Sequence, residues 1–577
     1  MAVFCRPVVT APAVVRRDGT VLAGAWLPDL VRLGELEAHL GDGVIEEAVE
    51  AAVAAGRLKP RQRQRQRQRQ RQRQRQRIMS YPLVIRLVIA MTLMPDACEA
   101  LSRLAGLLAD VPLAAEWHVP TEKVVTGWRL LVPADVMEGL FWRAAGPLIG
   151  DGEASAVMLA GMPVGAADGM LVNLADTPEN RAFFGTTGTA DGSSPFPQLR
   201  IVAVTARAGR ATLGAILGQA GTGEQTLLKR LAARRPELFA GRVTCFDRNF
   251  PGHDLILAIL RAGGHVVARV KEGIALPFHD GPDHGWLPDG SRMTWLNAPP
   301  GKKADRLPVR AAEHNATLPG SGEPSETCTV VTTLLDHRAA PAGQVRDAYL
   351  TRWSASETTF GEDKATITGA GGRTSGPVLR SGRPRLVIQE AWAWLAGTQL
   401  VRASEAAALR GEHAAARARR RRSRREVTAD EESFTATVRH AIRSMTSTQV
   451  TATSSLEALA AASDSAGRAC LATLNVPARR RHSARAQKGA AEVPARHRHQ
   501  EDRNRETPGH RIRARLLLSI PPAPATGRRN ARPRGPWTRA QPAATRGLNP
   551  SPHATRNRIP RHTQAIKTTT PQQDRNT

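Results

Sequence analysis

From about residue 155, short β-rich runs alternate with helical segments, and this alternation constrains the fold more than any other feature of the chain. Residues 156–159, 164–167, 199–205, 243–246 and 265–270 read as strands. Residues 224–234 and 253–262 carry apolar side chains at helical spacing. Strands and helices that alternate in this way bury their faces against each other as an α/β layer architecture. Residues 272–341 interrupt the pattern. They are rich in glycine, proline and aspartate, hold an expected strand at 327–335, and read as an inserted, mostly β region. Helix returns at 342–364 and 384–407.

Ahead of this unit the chain is helical. Leu30, Leu33, Leu36 and Leu40 recur at helical spacing and 44–55 continues in alanine and valine. The apolar stretch 81–94 is too short to span a bilayer, contains Arg86, and reads as a buried helix. Leu101, Leu104, Leu107 and Leu108 predict one further apolar helix face. Between them lies an Arg-Gln dipeptide run, 61–77, with nine arginines. The net charge of +29 suggests a polyanionic partner such as nucleic acid. That run, together with the 35 Lys+Arg against 13 Asp+Glu of residues 401–577, accounts for all of it, so the middle of the chain is close to neutral. Charge blocks of this kind are usually solvated and bind phosphates without sequence preference. The five cysteines are scattered without metal spacing, which fits a reducing compartment and no structural zinc. No secretory leader is expected, and the Gly-rich stretch 369–376 lacks the ending of a phosphate-binding loop, so no nucleotide cofactor and no membrane partner are expected.

Two aspartates end apolar runs inside the α/β unit: Asp168 in Val164-Gly-Ala-Ala-Asp-Gly and Asp247 in Val243-Thr-Cys-Phe-Asp-Arg. The carboxyl ends of strands are where α/β proteins build their sites. Two hard, oxygen-preferring metal ions can clamp the attacking and leaving oxygens of a phosphodiester, and carboxylates are the ligands such ions take. A third acid is then expected. The segment from Tyr349 to Lys364 supplies candidates: Tyr349 and Arg352 are helical neighbours, and Glu357 and Lys364 share a helix face. The plain alternative is an amphipathic helix with Trp353 and Phe360 turned to the core.

At these residues the chain resembles the DDE transposases of the insertion-sequence type-four family. The spacings Tyr349-x2-Arg352 and Glu357-x6-Lys364 are those of the family's Tyr-Arg-Glu-Lys signature, with four residues between Arg352 and Glu357, one more than the commonest pattern. Glu362 is the fallback third acid. Asp168-Gly169 with Asp176-Thr-Pro-Glu-Asn180 and Phe184-Gly185 is similar to the family's first-aspartate block. Asp247-Arg-Asn-Phe250 with Gly264-His-Val-Val-Ala-Arg-Val-Lys271 is similar to its second. The resemblance covers roughly residues 20–410.

The resemblance implies a ribonuclease H-like catalytic domain with a β-rich insertion and a small helical N-terminal domain before it; the Pro/Arg/His/Thr-rich composition from about 490, with few core residues, predicts a disordered basic tail. The expected divisions are an N-terminal helical segment at 1–60, the Arg-Gln linker at 61–77, a helical DNA-end-binding domain at 78–154, the catalytic domain at 155–410, and the tail at 411–577. Asp168, Asp247 and Glu357 would be catalytic and hold two Mg2+ or Mn2+ ions. Tyr349, Arg352 and Lys364 would grip DNA phosphates, with Arg269 and Lys271 as further contacts. The implied activity is metal-dependent cleavage at insertion-sequence ends followed by strand transfer, in the bacterial cytoplasm at the nucleoid. Terminal inverted repeats and target DNA would be the partners, held by a homodimer. Two rivals share the acids: an inactive remnant that only binds DNA, and a ribonuclease H-like nuclease that cuts without joining.

Overall fold

In this computed structural model the described residues are 33–59 (except 42), 80–94, 122–150, 158–368, 379–418 and 434–445. Within 158–368 there are breaks at 190–191, 208, 272–273, 275, 279–282, 299–305, 318–323 and 356. The Arg-Gln run, the Leu101–Leu108 face, Gly369–Gly376 and everything beyond 445 lie outside them. All described residues belong to one compact unit, within Met1–Lys488.

The helices are α1 (Val44–Ala54), α2 (Tyr81–Leu93), α3 (Glu122–Arg129), α4 (Ala134–Gly150), α5 (Pro178–Phe184), α6 (Glu224–Arg234), α7 (His253–Arg261), α8 (Ala342–Ala355), α9 (Glu357–Thr368), α10 (Pro384–Ala418) and α11 (Phe434–Met445). The strands are β1 (Met158–Leu159), β2 (Met162–Asn173), β3 (Gly188–Thr189), β4 (Gly192–Ser193), β5 (Gln198–Ala206), β6 (Thr212–Gln219), β7 (Val243–Phe246), β8 (His265–Arg269), β9 (Arg292–Leu296), β10 (Leu307–Thr317) and β11 (Pro324–Thr332).

The architecture is mixed α/β around one central mixed sheet, ordered β6-β5-β2-β7-β8-β11-β10-β9, with β1 paired to β2. The β2, β5 and β6 strands run as an antiparallel meander. The β2, β7 and β8 strands are parallel. All four β7 residues are buried, as expected for a parallel strand covered on both faces. A parallel neighbour requires a crossover, and α7 provides it between β7 and β8, burying Leu255, Ile256 and Ile259. Gly264 enters β8 so close to the preceding loop that a Cβ there would lie 2.5 Å from the Phe239 carbonyl oxygen. Gly264→Ala is therefore expected to cost about 1–3 kcal/mol. Thermal unfolding checks this, and an unchanged melting temperature would refute the tight approach.

Two differences from the sequence expectation have physical causes. Asp168 does not end its strand. Pairing with β5 carries β2 on to Asn173, while pairing with β7 stops at Ala166 opposite Cys245, so Asp168 lies just past the end of the parallel part of the ladder. The insertion at 272–341 contributes β9, β10 and β11, and these join the same sheet because β11 pairs antiparallel with β8. Finally, a tail beginning at 411 would cut α10, which runs to Ala418, and α11 beyond it buries Phe434, Val438 and Ala441. Those three lie at helical spacing within an arginine- and alanine-rich stretch whose average composition conceals them.

The helices before the sheet share its core. Leu33, Leu36 and the α2, α4 and α10 side chains cluster with Met170, Val172, Leu199 and Ile201 of the sheet. Buried Arg86 of α2 is ion-paired with Glu37 and with Glu46, the latter at 2.8 Å. The Tyr81 hydroxyl donates to the Lys59 carbonyl at 3.3 Å, so the described residues on either side of the Arg-Gln run meet at one point. Among the described residues no helix is long and apolar enough to cross a membrane.

Candidate active site

The site begins with the register of two parallel strands. Ala166 of β2 is level with Cys245 of β7. Two residues further along each chain, side-chain alternation returns to the same face of the sheet, which sets Asp168 beside Asp247.

That face is covered by α8. Val345 and Ala348 pack with Val243, Cys245 and Val267, and the Cys245 thiol lies 3.6 Å from the Ala348 carbonyl. Burial pushes that thiol up to about 12, so it stays protonated packing. Seven residues after Val345, on the same helix face, comes Arg352. It is 6% exposed, with Nη1 3.6 Å from Asp168 Oδ2 and Nη2 3.8 Å from Asp247 Oδ1. The guanidinium lies 5.9 Å from the centre of the Tyr349 ring one turn earlier. Burial, with Asp247 adding to it, pushes the Tyr349 hydroxyl up to about 12 against the pull of Arg352 and Arg269. Lys364 of α9 is lowered by burial and drawn back upward by Asp168.

The structure thus brings together Asp168, Asp247, Tyr349, Arg352 and Lys364, with Arg269 close enough to act on Tyr349. Lys271 is exposed beyond the end of β8. Glu357 opens α9 two turns before Lys364, and its side chain lies outside the described residues. Glu362 is engaged elsewhere: it accepts from Arg210 and Arg402, each at 2.6 Å. Phe360 is buried, as the amphipathic reading expected.

Sequence reasoning missed Glu224, which opens α6 on the opposite face of the sheet. Its carboxylate accepts from Arg200 at 2.6 Å and occupies the space that a Cβ at Gly169 would take. Burial raises its pKa, Arg200 opposes this, and Asp168 and Asp247 add to it. Gly169 is therefore a mid-strand residue that admits a carboxylate, where the Asp-Gly pair by itself reads as a turn.

Among the described residues no three His, Cys, Asp or Glu side chains group tightly enough to hold a metal ion. The pair Asp168 and Asp247 nevertheless suits a hard divalent cation. Both offer only oxygen donors, and a guanidinium already lies within 4.0 Å of each, so the space between them attracts positive charge.

No protein-family model matches the chain. Transposase InsG for insertion sequence element IS4, from Escherichia coli (strain K12), is 26% identical to it over 245 residues, 42% of this chain and 52% of that protein. The chain thus spans about half the length of this curated relative. Among solved structures, the piggyBac transposase synaptic complex with hairpin DNA aligns at 11% identity over 85% of this chain and 88% of that one, with a TM-score of 0.37, too low to argue from. The resemblance to the insertion-sequence type-four transposases, first read from the motifs, is shared by that curated relative.

Proposed function

We propose that this protein is a DDE transposase that cleaves DNA at the ends of an insertion sequence and joins them to a target, by cut and paste. The observation that carries the reading is the convergence of Asp168, Asp247 and the Arg352 guanidinium on one sheet face, in a chain similar to an IS4 transposase. The mixed sheet, with its aspartates on neighbouring parallel strands, supports a ribonuclease H-like catalytic domain.

In this reading Asp168, Asp247 and Glu357 hold two Mg2+ or Mn2+ ions. Once bound, such ions activate the attacking oxygen and offset charge on the leaving oxygen of a phosphodiester. The chain's own cations do the positioning. Arg352, Lys364 and Arg269 line the approach to the aspartates and bind the phosphates on either side of the scissile bond, with Lys271 further out. The Tyr349 hydroxyl, held protonated, donates a hydrogen bond to a phosphate oxygen. The partners are terminal inverted repeats and target DNA, brought together by a homodimer in the bacterial cytoplasm, with the basic segments adding sequence-independent affinity.

The test is incubation of the full chain with inverted-repeat DNA and Mg2+, scoring both nicks and joined products. Cutting without any joined product would favour a nuclease. Binding without metal-dependent nicking, unaltered by Asp168→Ala, would favour an inactive remnant. The third acid is decided by a pair of variants. Glu357→Gln is expected to lose nicking by about a hundredfold or more, whereas Glu362→Gln, which disturbs only the arginine cluster, is expected to retain it in the folded fraction. The reverse result would make Glu362 the ligand.

A further inference from the structure

We infer that Arg352 is the resident counter-ion of the metal-free centre: it holds the Asp168 and Asp247 carboxylates side by side, and a divalent cation has to displace it from them. This rests on the proposed role of the two aspartates as metal ligands and adds a competitor to it.

Two carboxylates level with each other on adjacent strands repel, and the repulsion grows as water is excluded. Asp168 is 18% exposed and Asp247 35%. A third carboxylate, Glu224, lies beneath Gly169 on the other face, where Arg200 pairs with it. Something positive must offset this before any metal arrives. Lys364 acts on Asp168. Arg352 approaches both aspartates, one fork nitrogen to each.

The lengths of these contacts matter. At 3.6 and 3.8 Å they are ion pairs beyond fitted hydrogen-bond range. These two contacts act through charge, which another cation can supply. The arginine has no need to leave the cleft when that happens. Its helix is fixed by Val345 and Ala348, and the Tyr349 ring lies beside it. A small change of side-chain angle turns the fork from the carboxylates toward the open side, where a DNA phosphate would lie. Metal loading then frees the phosphate-gripping group, so metal binding precedes and strengthens the grip on DNA.

The test titrates Mn2+ alone into the full-length wild type, R352Q, R352K and D168N by calorimetry, alongside thermal unfolding in EDTA. R352Q is expected to melt lower in EDTA and to bind Mn2+ about tenfold more tightly, the size of a typical coupling between two ligands. R352K keeps the charge but lacks a fork that reaches both aspartates, so it should shift both readings the same way and by less. If R352Q fails to fold, R352K decides. Equal Mn2+ affinity and equal melting in EDTA across wild type and the Arg352 variants would overturn the counter-ion role while leaving the metal ligands intact. Mn2+ binding that is absent from the wild type, or unchanged in D168N, would overturn the ligand assignment and this inference together.

Discussion

Replacing Asp168 or Asp247 by asparagine is expected to abolish metal-dependent nicking, by about a thousandfold or more, while leaving DNA binding in place. Three decades of rate correspond to about 4 kcal/mol of transition-state stabilisation, within the several kcal/mol that a bound divalent ion supplies. Asparagine keeps the shape of the side chain and the β2 and β7 ladders, so the loss reports the missing charge. Under the proposed function binding survives, because the phosphate contacts would come from Arg352, Lys364 and the basic segments. Each single variant also leaves the nearly buried Arg352 with one anionic partner in place of two, so a modest fall in melting temperature should accompany the lost activity. Nicking that persists at wild-type rates in both variants would remove the aspartates from the chemistry.

The second large effect is structural. Arg402→Met is expected to destabilise the fold by about 3–5 kcal/mol, the usual cost of leaving buried partners uncompensated. Arg402 is 1% exposed and sits at the centre of a cluster that joins three helices. Its fork reaches Glu362 at 2.6 Å and Glu405 at 2.9 Å, Asp363 lies at 4.0 Å, and the guanidinium stacks 3.8 Å from the centre of the Phe434 ring of α11. Methionine fills most of the volume but abandons three acids. The same cluster carries a pH signature. Burial pushes Asp363 up to about 7, with Glu362 and Glu405 adding to the rise and Arg402 and Arg210 opposing it. A carboxyl raised in the folded state from its ordinary 3.8 takes up its proton on folding. Its contribution to stability is complete below pH 3.8 and is lost as pH rises through about 7. Melting temperature should therefore fall between pH 5 and 8, and Asp363→Asn should flatten that slope. A slope unchanged in Asp363→Asn would assign the titration to another group.

Much of this was legible in the chain. The β7 and β8 strands and the α6 and α7 helices stand where their apolar runs and helical spacing put them, because local patterning and burial agree there. Spacing also placed Tyr349, Arg352 and Lys364 on helices, but a helix face does not say which sheet it will cover. That information lies in the match of Val345 and Ala348 to Val243 and Cys245 across a hundred residues of chain. Asp168 looked like a strand end because its run stops at Asp-Gly; only the β5 partner shows that the strand continues. The joining of β11 to β8 is likewise a pairing between distant segments and leaves no local mark. Glu224 was invisible for the same reason, since its importance depends on a missing side chain at Gly169.

The bond from Tyr81 to the Lys59 carbonyl bears on how such a chain can change over generations. A tandem dipeptide repeat gains and loses units readily when its gene is copied, and in most positions each change would shear neighbouring elements out of register. Here the residues that flank the repeat, Lys59 and Tyr81, meet at one spot, so a change in repeat number leaves the flanking elements in place. The entropy of closing a chain between two fixed ends grows slowly, by about 0.6 kcal/mol for each doubling. Every added pair also brings one arginine. Under the proposed function, the strength of non-specific attraction to DNA would thus drift as a nearly independent trait, adjusted by copy number, while Asp168, Asp247 and Arg352 keep their places.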